Sequence, residues 1–352
     1  FEFQRLHGMG EPLYQQILTN EGIACRIYAP VGNHEDLLAY LVRRLLENGS
    51  NTSFVNRIVD RDAPIDAIIA DPVSKVSALS QIPHPRIPLP GNMFGERTNS
   101  KGLDLSDVCH LRELAAGMEA AARQDWRATP LIGGVAKAGE GKPVFNPADR
   151  RQQVGVVLEA NAEDVPRALD IAARAALRWD ATRAEERAAC LERAADLMES
   201  EMATLMSLCT REAGKTIMDG VNEVREAIDF CRFYAIQTRK EFSAARDLPG
   251  PTGETTQLRW QGRGVILCIS PWNFPLAIFM GQVAAALAAG NAVIAKPAEQ
   301  TPLIAAYAVA LLHRAGVPGD AVQLLPGDGT LGAQLVDDPR IGGVAFTLSL
   351  IH

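Results

Sequence analysis

Over residues 263–347 short apolar runs alternate with helical stretches, and that alternation restricts the fold more than any other feature of the chain. "GRGVILCIS", "NAVIAKP", "AVQLLPGDG" and "GGVAFT" read as strands of the kind a parallel sheet buries on both faces. Between them lie "AIFMGQVAAALAAG", "TPLIAAYAVALLHRAG" and "TLGAQLVDD". The first of these is rich in small residues that let a helix approach a sheet closely. Parallel strands joined through helices cross over right-handedly, so the expected architecture is α/β, a doubly wound, Rossmann-like sheet.

Towards the amino terminus the texture changes twice. In residues 1–70 a β-like run, "CRIYAPVG", is closed by Pro30 and Gly32. Asn33 is placed to cap the amphipathic helix "HEDLLAYLVRRLLENG", which carries Leu37, Leu38, Leu41, Leu45 and Leu46 at helical spacing and stops at Gly49. A strand, a short loop and a helix form the repeating unit of an α/β barrel. Residues 71–110 hold Pro72, Pro83, Pro85, Pro88, Pro90 and Gly91, a composition that predicts an extended linker. From 111 to the end helices come first. Ala184 to Arg211 aligns Leu191, Ala195, Met198, Met202 and Leu205 in one stripe, read as core, and Val221 to Arg239 forms another helix. No internal repeat is present.

Composition narrows the function. With 47% hydrophobic and 22% charged residues the chain is globular, and a net charge of −7 argues against a broad grip on DNA. The longest apolar run, Val283 to Ala295, is interrupted by Gly290 and Asn291 and is too short to span a membrane. The first residue is Phe1 and no leader precedes it, so residues are expected to be missing upstream. Six cysteines at 25, 109, 190, 209, 231 and 268 form no CxxC pair, the pattern of reduced cytoplasmic thiols without a metal site. "REAGKT" and "GEGKP" fail as P-loops, the first because Cys209 stands at the required glycine, the second because proline replaces the hydroxyl residue. "GDGTLG" follows a strand and opens a helix, but its spacing departs from the ordinary dinucleotide fingerprint.

"ISPWNFPLAIFMGQVAAALAAGNAVIAKPAEQTP" resembles the NAD-binding half of the aldehyde dehydrogenase superfamily, with Pro271-Trp272-Asn273, Lys296-Pro297-Ala298-Glu299 and the Gly327/Gly329 turn in the family's order. The resemblance implies that Asn273 donates its side-chain amide to the oxyanion formed when a thiol attacks an aldehyde. It implies that Lys296 and Glu299 hold the adenosine ribose of NAD and that Ile269 and Trp272 wall the cleft. Pro271, Ala298, Gly329, Phe346, Thr347 and Ser349 join the same cofactor-binding set.

"FEFQRLHGMGEPLY" and "RIYAPVGNHEDLLAYLVRRLLENGSNTSFVNRIVD" resemble the last strands and helices of a proline dehydrogenase barrel. There Arg43 and Arg44 would bind the substrate carboxylate through planar guanidinium forks, with Tyr28 and Tyr40 packed around the ring. A barrel end, a linker with "NSKGLDLSD" and an aldehyde dehydrogenase, in that order, are similar to the bifunctional proline utilisation A proteins. "FNPADRRQQVGVVLEANAEDV" and "TREAGKTIMDGVNEVREAIDFCRFYA" fit that family's entry into its second domain. In the family, FAD in the barrel oxidises proline to pyrroline-5-carboxylate, and the hydrolysed product, glutamate semialdehyde, is oxidised to glutamate with NAD. The resemblance further implies a homo-oligomeric parent, with peripheral membrane association for quinone reduction left open.

Two expectations concern the ends. Most barrel strands, and the FAD contacts on them, should lie before residue 1; the nucleophilic cysteine and general-base glutamate should lie past residue 352. In the family the last strand ends Phe-Thr-Gly-Ser, whereas here Leu348 stands at the glycine and Leu350 to His352 match nothing expected. The chain is therefore expected to be inactive alone. The alternatives are a non-catalytic NAD-binding or oligomerisation fragment, or an aldehyde dehydrogenase of another substrate class.

Overall fold

The computed structural model describes residues 2–49, 57, 60–82 and 84–347, in two compact units, Phe1–Ile87 and Pro88–His352. In the first, β1 (Phe3–Leu6) and β2 (Cys25–Tyr28) pair in parallel, Phe3 with Cys25 through Leu6 with Tyr28. Helix α1 (Glu11–Glu21) connects them, entering and leaving through left-handed glycines, Gly10 (φ 64°) and Gly22 (φ 63°). A left-handed turn at each end lets so short a helix reverse the chain twice. Helix α2 (His34–Gly49) follows β2, so the order is that of α/β barrel units. Two strands cannot enclose a core, and α1 buries no side chain. Of the expected leucine stripe, Leu37 is half-buried while Leu38 and Leu46 are exposed; the side chains of Leu41 and Leu45 lie outside the described residues.

Short helices α3 (Ile65–Ile69) and α4 (Pro72–Ser77) also lie in this unit. The second corrects the expectation of an extended chain at Pro72. Asp71 accepts hydrogen bonds from the Val73 and Ser74 amides at 3.0 and 3.2 Å, and Pro72 occupies the first turn, where its missing N–H costs nothing.

In the second unit a 3-10 turn, Pro90–Asn92, precedes the first α-helix, α5 (Val108–Ala122). Next come β3 (Trp126–Ala128), β4 (Leu131–Ile132), β5 (Val135–Ala136), β6 (Lys142–Asn146) and β7 (Asp149–Val157), which the sequence reading did not resolve. Most are too short to show a period of two, and cross-strand pairing defines them. Gly155 on β7 lies opposite Trp126, and a Cβ there would stand 2.4 Å from the Trp126 carbonyl oxygen and 2.8 Å from Leu303.

Four helices follow: α6 (Asp164–Ala181), α7 (Ala184–Ser200), α8 (Met202–Ala213) and α9 (Ile217–Phe242). The single helix expected over 184–211 is thus two, broken at Glu201, whose carboxylate turns outward to Arg314 and Tyr307. Its stripe, from Leu191 to Leu205, is buried core as expected. A hairpin of β8 (Arg246–Leu248) and β9 (Thr256–Leu258) precedes the alternating region: β10 (Val265–Ile269), α10 (Ala277–Ala288), β11 (Ala292–Lys296), α11 (Pro302–Arg314), β12 (Val322–Leu324), α12 (Gly329–Val336) and β13 (Ile341–Phe346).

The main sheet runs β13-β10-β11-β12-β4-β5, parallel across the first four strands and antiparallel at β4 and β5. Successive residues serve opposite faces. Val265, Leu267, Ala292 and Ile294 pack with α6 and α12, whereas Cys268, Val293 and Ala295 pack with α7 to α11. The glycine and asparagine that interrupt the longest apolar run make the turn between α10 and β11. Gly290 adopts φ 87°, and Asn291 accepts from the Arg263 and Gly264 amides at 2.6 and 3.2 Å.

The failed P-loop "REAGKT" has a structural explanation at the α8–α9 corner. Gly214 is the left-handed C-cap of α8, and Thr216 caps α9 through the Asp219 amide. Glu212 is buried and accepts from the Leu303 and Ile304 amides of α11 at 2.7 and 2.9 Å. Burial pushes its carboxyl up from 4.5 to about 8 against the pull of those two N–H groups. Between these values the folded chain holds a proton that the unfolded chain has released. This group's contribution to stability therefore falls as pH rises through that window. Denaturant midpoints measured from pH about 5 to about 8 should decline, and Glu212→Gln, which cannot titrate, should flatten the decline. Separately, Gly155→Ala should cost about 3 kcal/mol in urea unfolding, because neither the Trp126 carbonyl nor Leu303 can retreat far.

Candidate cofactor cleft

Strand order sets where a ligand can enter. β10, β11 and β12 step outward in sequence, and the chain then returns to lay β13 on the other side of β10. Connections on the two sides of such a reversal diverge and leave a crevice outside the carboxyl ends of the strands. Ile269, the last residue of β10, is level with Lys296 on β11 and Phe346 on β13, so three strands end together. The Ser270 amide donates to the Lys296 carbonyl at 3.3 Å and the Thr347 amide to the Ile269 carbonyl at 3.2 Å.

The turn leaving β10 carries buried Pro271, exposed Trp272 and half-buried Asn273. The side-chain oxygen of Asn273 is buried without a hydrogen-bond partner among the described residues. Gln282 on α10 donates to the Ile269 carbonyl at 3.2 Å and to Thr347 Oγ1 at 2.9 Å, joining the ends of β10 and β13. Gln282 and Thr347 also line an apolar cavity of about 550 Å³ with Phe230, Tyr234, Ile278 and Gly281.

The turn leaving β11 begins with Lys296, only 6% exposed. Burial lowers the pKa of its ammonium, while the charges of Glu299, Asp328 and Glu159 oppose that shift. The Lys296 stem passes 3.4 Å from where a Cβ on Gly332 would stand. Ala298 is half-buried and Glu299 is exposed three residues beyond the lysine. A cation and a carboxylate at one strand end offer a donor and an acceptor to a pair of hydroxyls.

The glycines leaving β12 differ in kind. A Cβ on Gly327 would strike Leu331 at 2.4 Å, so that glycine serves the packing of α12. A Cβ on Gly329 would meet nothing within 4 Å, and that side of the turn stays open to a ligand. Asp328 between them caps α12 through the Thr330 and Leu331 amides at 2.9 and 3.2 Å.

A dinucleotide pyrophosphate usually sits on a helix N-terminus at such a crevice. Here the protein's own carboxylates occupy three of them. Glu223 on α9 accepts from the Leu276 and Ala277 amides entering α10 at 3.3 and 2.9 Å, Glu212 holds α11, and Asp328 holds α12. Ser349, expected to contact the cofactor, and the rest of residues 348–352 lie outside the described residues. Phe346 is exposed and Thr347 half-buried at the end of β13.

No described cysteine has the character of an activated thiol in this cleft. Cys190, Cys209, Cys231 and Cys268 are buried and their pKa values are raised, to about 12 for Cys231 and Cys268. Among the described residues no group of three or more metal-ligating side chains assembles. In the first unit, Tyr40 and Arg44 meet on α2, the guanidinium 5.2 Å from the ring centroid. Tyr28 ends β2, and Arg43 is exposed. Sequence reasoning missed Glu212, Glu223 and Gln282, because each acts through partners at least 13 residues away.

Residues 135–350 match the aldehyde dehydrogenase family and residues 1–57 match proline dehydrogenase. The chain is 53% identical over 360 residues to the bifunctional protein PutA of Escherichia coli (strain K12), a match to 99% of this chain and 26% of that protein. A crystal structure of a bifunctional proline utilization A protein superposes with a TM-score of 0.81 at 48% identity, over 98% of this chain and 32% of that one. A 1-pyrroline-5-carboxylate dehydrogenase from Thermus with bound NAD covers 71% of this chain, and this chain 49% of it, with a TM-score of 0.66 at 31% identity. The chain thus spans about a quarter of the length of the curated relatives it matches first. It belongs to the aldehyde dehydrogenase family, and the proline dehydrogenase segment ahead of that region is the arrangement of the bifunctional proline utilization A proteins.

Proposed function

We propose that this chain is the cofactor cradle of a bifunctional enzyme that converts proline to glutamate. In this reading residues 1–70 end a proline dehydrogenase barrel, 71–110 link the domains, and 111–352 begin a glutamate-semialdehyde dehydrogenase. Tyr28, Tyr40, Arg43 and Arg44 belong to the proline site, whose FAD is held elsewhere in the parent. The parent acts on proline and glutamate semialdehyde, is cytoplasmic and homo-oligomeric, and reaches the membrane only at its periphery. No helix among the described residues is long and apolar enough to cross a membrane.

One observation carries the dehydrogenase reading: Asn273, whose side-chain oxygen has no partner among the described residues, and a buried Lys296 stand at adjacent strand ends beside the reversal in strand order. NAD bound there supplies the two-electron acceptor for aldehyde oxidation. Lys296 and Glu299 bind the adenosine ribose hydroxyls as donor and acceptor, while Ile269 and Trp272 bound the cleft. The open side of Gly329 admits the cofactor without displacing protein atoms. Asn273 donates its amide N–H to the carbonyl oxygen as negative charge develops on it, and, being neutral, does so at any physiological pH. The attacking thiolate and the general base come from the rest of the parent, since the raised thiols of Cys190, Cys209, Cys231 and Cys268 make them poor nucleophiles. That same feature favours a non-catalytic, NAD-binding role for the chain alone.

Calorimetric titration with NAD and with AMP tests the cradle. Lys296→Met and Glu299→Gln should each weaken both ligands by about tenfold, the loss of a hydrogen bond to a charged group. Unchanged affinities would exclude the ribose assignment. Asn273→Ala should leave NAD affinity within about twofold yet lower kcat in the complete bifunctional enzyme by about a hundredfold or more.

A further inference from the structure

We propose that the α8–α9 corner is a bracket for the cleft, with Glu212 and Glu223 as positioning residues that fix the two loops carrying its functional side chains. This rests on the reading of those loops as an NAD cleft. Glu212 closes α8 and Glu223 sits in the second turn of α9, so one short corner carries both carboxylates. Both are buried, 4% and 2% exposed. Glu212 reaches 91 residues along the chain to Leu303 and holds the helix that the Lys296–Thr301 loop enters. Glu223 reaches 53 residues to Leu276 and holds the helix that the Asn273 loop enters.

Each helix takes its side-chain cap from a distant part of the chain. A capping side chain normally comes from the residue just before the helix, at no cost in long-range order. Here neither Leu276 nor Thr301, the residues at those cap positions, supplies a side-chain cap, and the acceptor comes from another helix. A cap supplied across space ties the position of one element to another, which a local cap cannot do. Lys215 strengthens the tie on the Asn273 side. Its ammonium lies 3.2 Å from Glu223 and 4.4 Å from the ring centroid of Phe274, the residue after Asn273. Through one corner, the ribose-binding end and the oxyanion donor are held at a fixed separation. Occupation of both N-termini by carboxylates also bars phosphate from them, so bound dinucleotide has one register along the crevice.

Hydrogen exchange on the full chain separates positioning from general stability. Glu212→Met and Glu223→Met keep side-chain volume but remove the acceptors. Glu212→Met should raise exchange over residues 297–301 by about tenfold and leave 270–275 unchanged, and Glu223→Met should do the reverse. The Gln variants, which keep one acceptor oxygen, should restore most of the protection. AMP affinity should fall in Glu212→Met and hold in Glu223→Met. Exchange that rises evenly across the second unit, or in neither loop, overturns the bracket. If unaltered chain binds no nucleotide, the functional reading fails, while the exchange pattern still decides whether the corner fixes the two loops.

Discussion

Parallel pairing of β10 with β11 on one side and β13 on the other, in register through Ile269, is the constraint from which the cleft follows. Because the three strands end level, the turns that leave them carry Asn273, Lys296 and Thr347 to one edge of the sheet. Gln282 holds two of those ends together by donating to both the Ile269 carbonyl and Thr347. The apolar alternation of β10 and β11 makes this possible. With Leu267 and Ile294 packed on one face and Cys268 and Val293 on the other, a one-residue slip would exchange the faces of every side chain on the strand.

The first unit obeys the same rules with a different balance. β1 and β2 are parallel and joined through a helix, yet Ile27, Tyr28 and Leu38 remain exposed. A pair of parallel strands presents two apolar faces and one helical layer cannot cover both, which is why barrels close with eight. The Tyr40–Arg44 contact needs no such closure, since residues four apart on a helix face each other.

What the sequence disclosed was local. Pro271-Trp272-Asn273 and Lys296-Pro297-Ala298-Glu299 each sit within a single strand end, so pattern and position were legible together. The strands over 126–157 were not, because segments as short as Leu131–Ile132 acquire strand character only from a partner such as Leu324. Pro72 misled in the opposite way: the residue that forbids a helix interior is favoured in its first turn. Glu212 and Glu223 could not be read at all. A glutamate in a helix is ordinarily a solvated charge, and nothing near either residue marks a helix N-terminus 50 or more residues away as its partner.

Carboxyl groups in the second unit serve mainly as acceptors for helix ends. The side-chain oxygens of Glu212, Glu223 and Asp328 accept backbone N–H groups at helix ends that would otherwise lack partners. The strand ends also carry the Lys296 ammonium, which donates to the Pro297 carbonyl at 3.4 Å, and the Asn273 amide, both able to donate. A site so arranged presents donors where a ribose hydroxyl or a developing oxyanion would sit, and uses carboxyl groups as acceptors to hold the loops that carry those donors. Lys296 shows the tension in that arrangement. Burial lowers its pKa while Glu299, Asp328 and Glu159 favour its charged form. The cap that Asp328 provides for α12 therefore helps, through space, to keep the crevice lysine a cation.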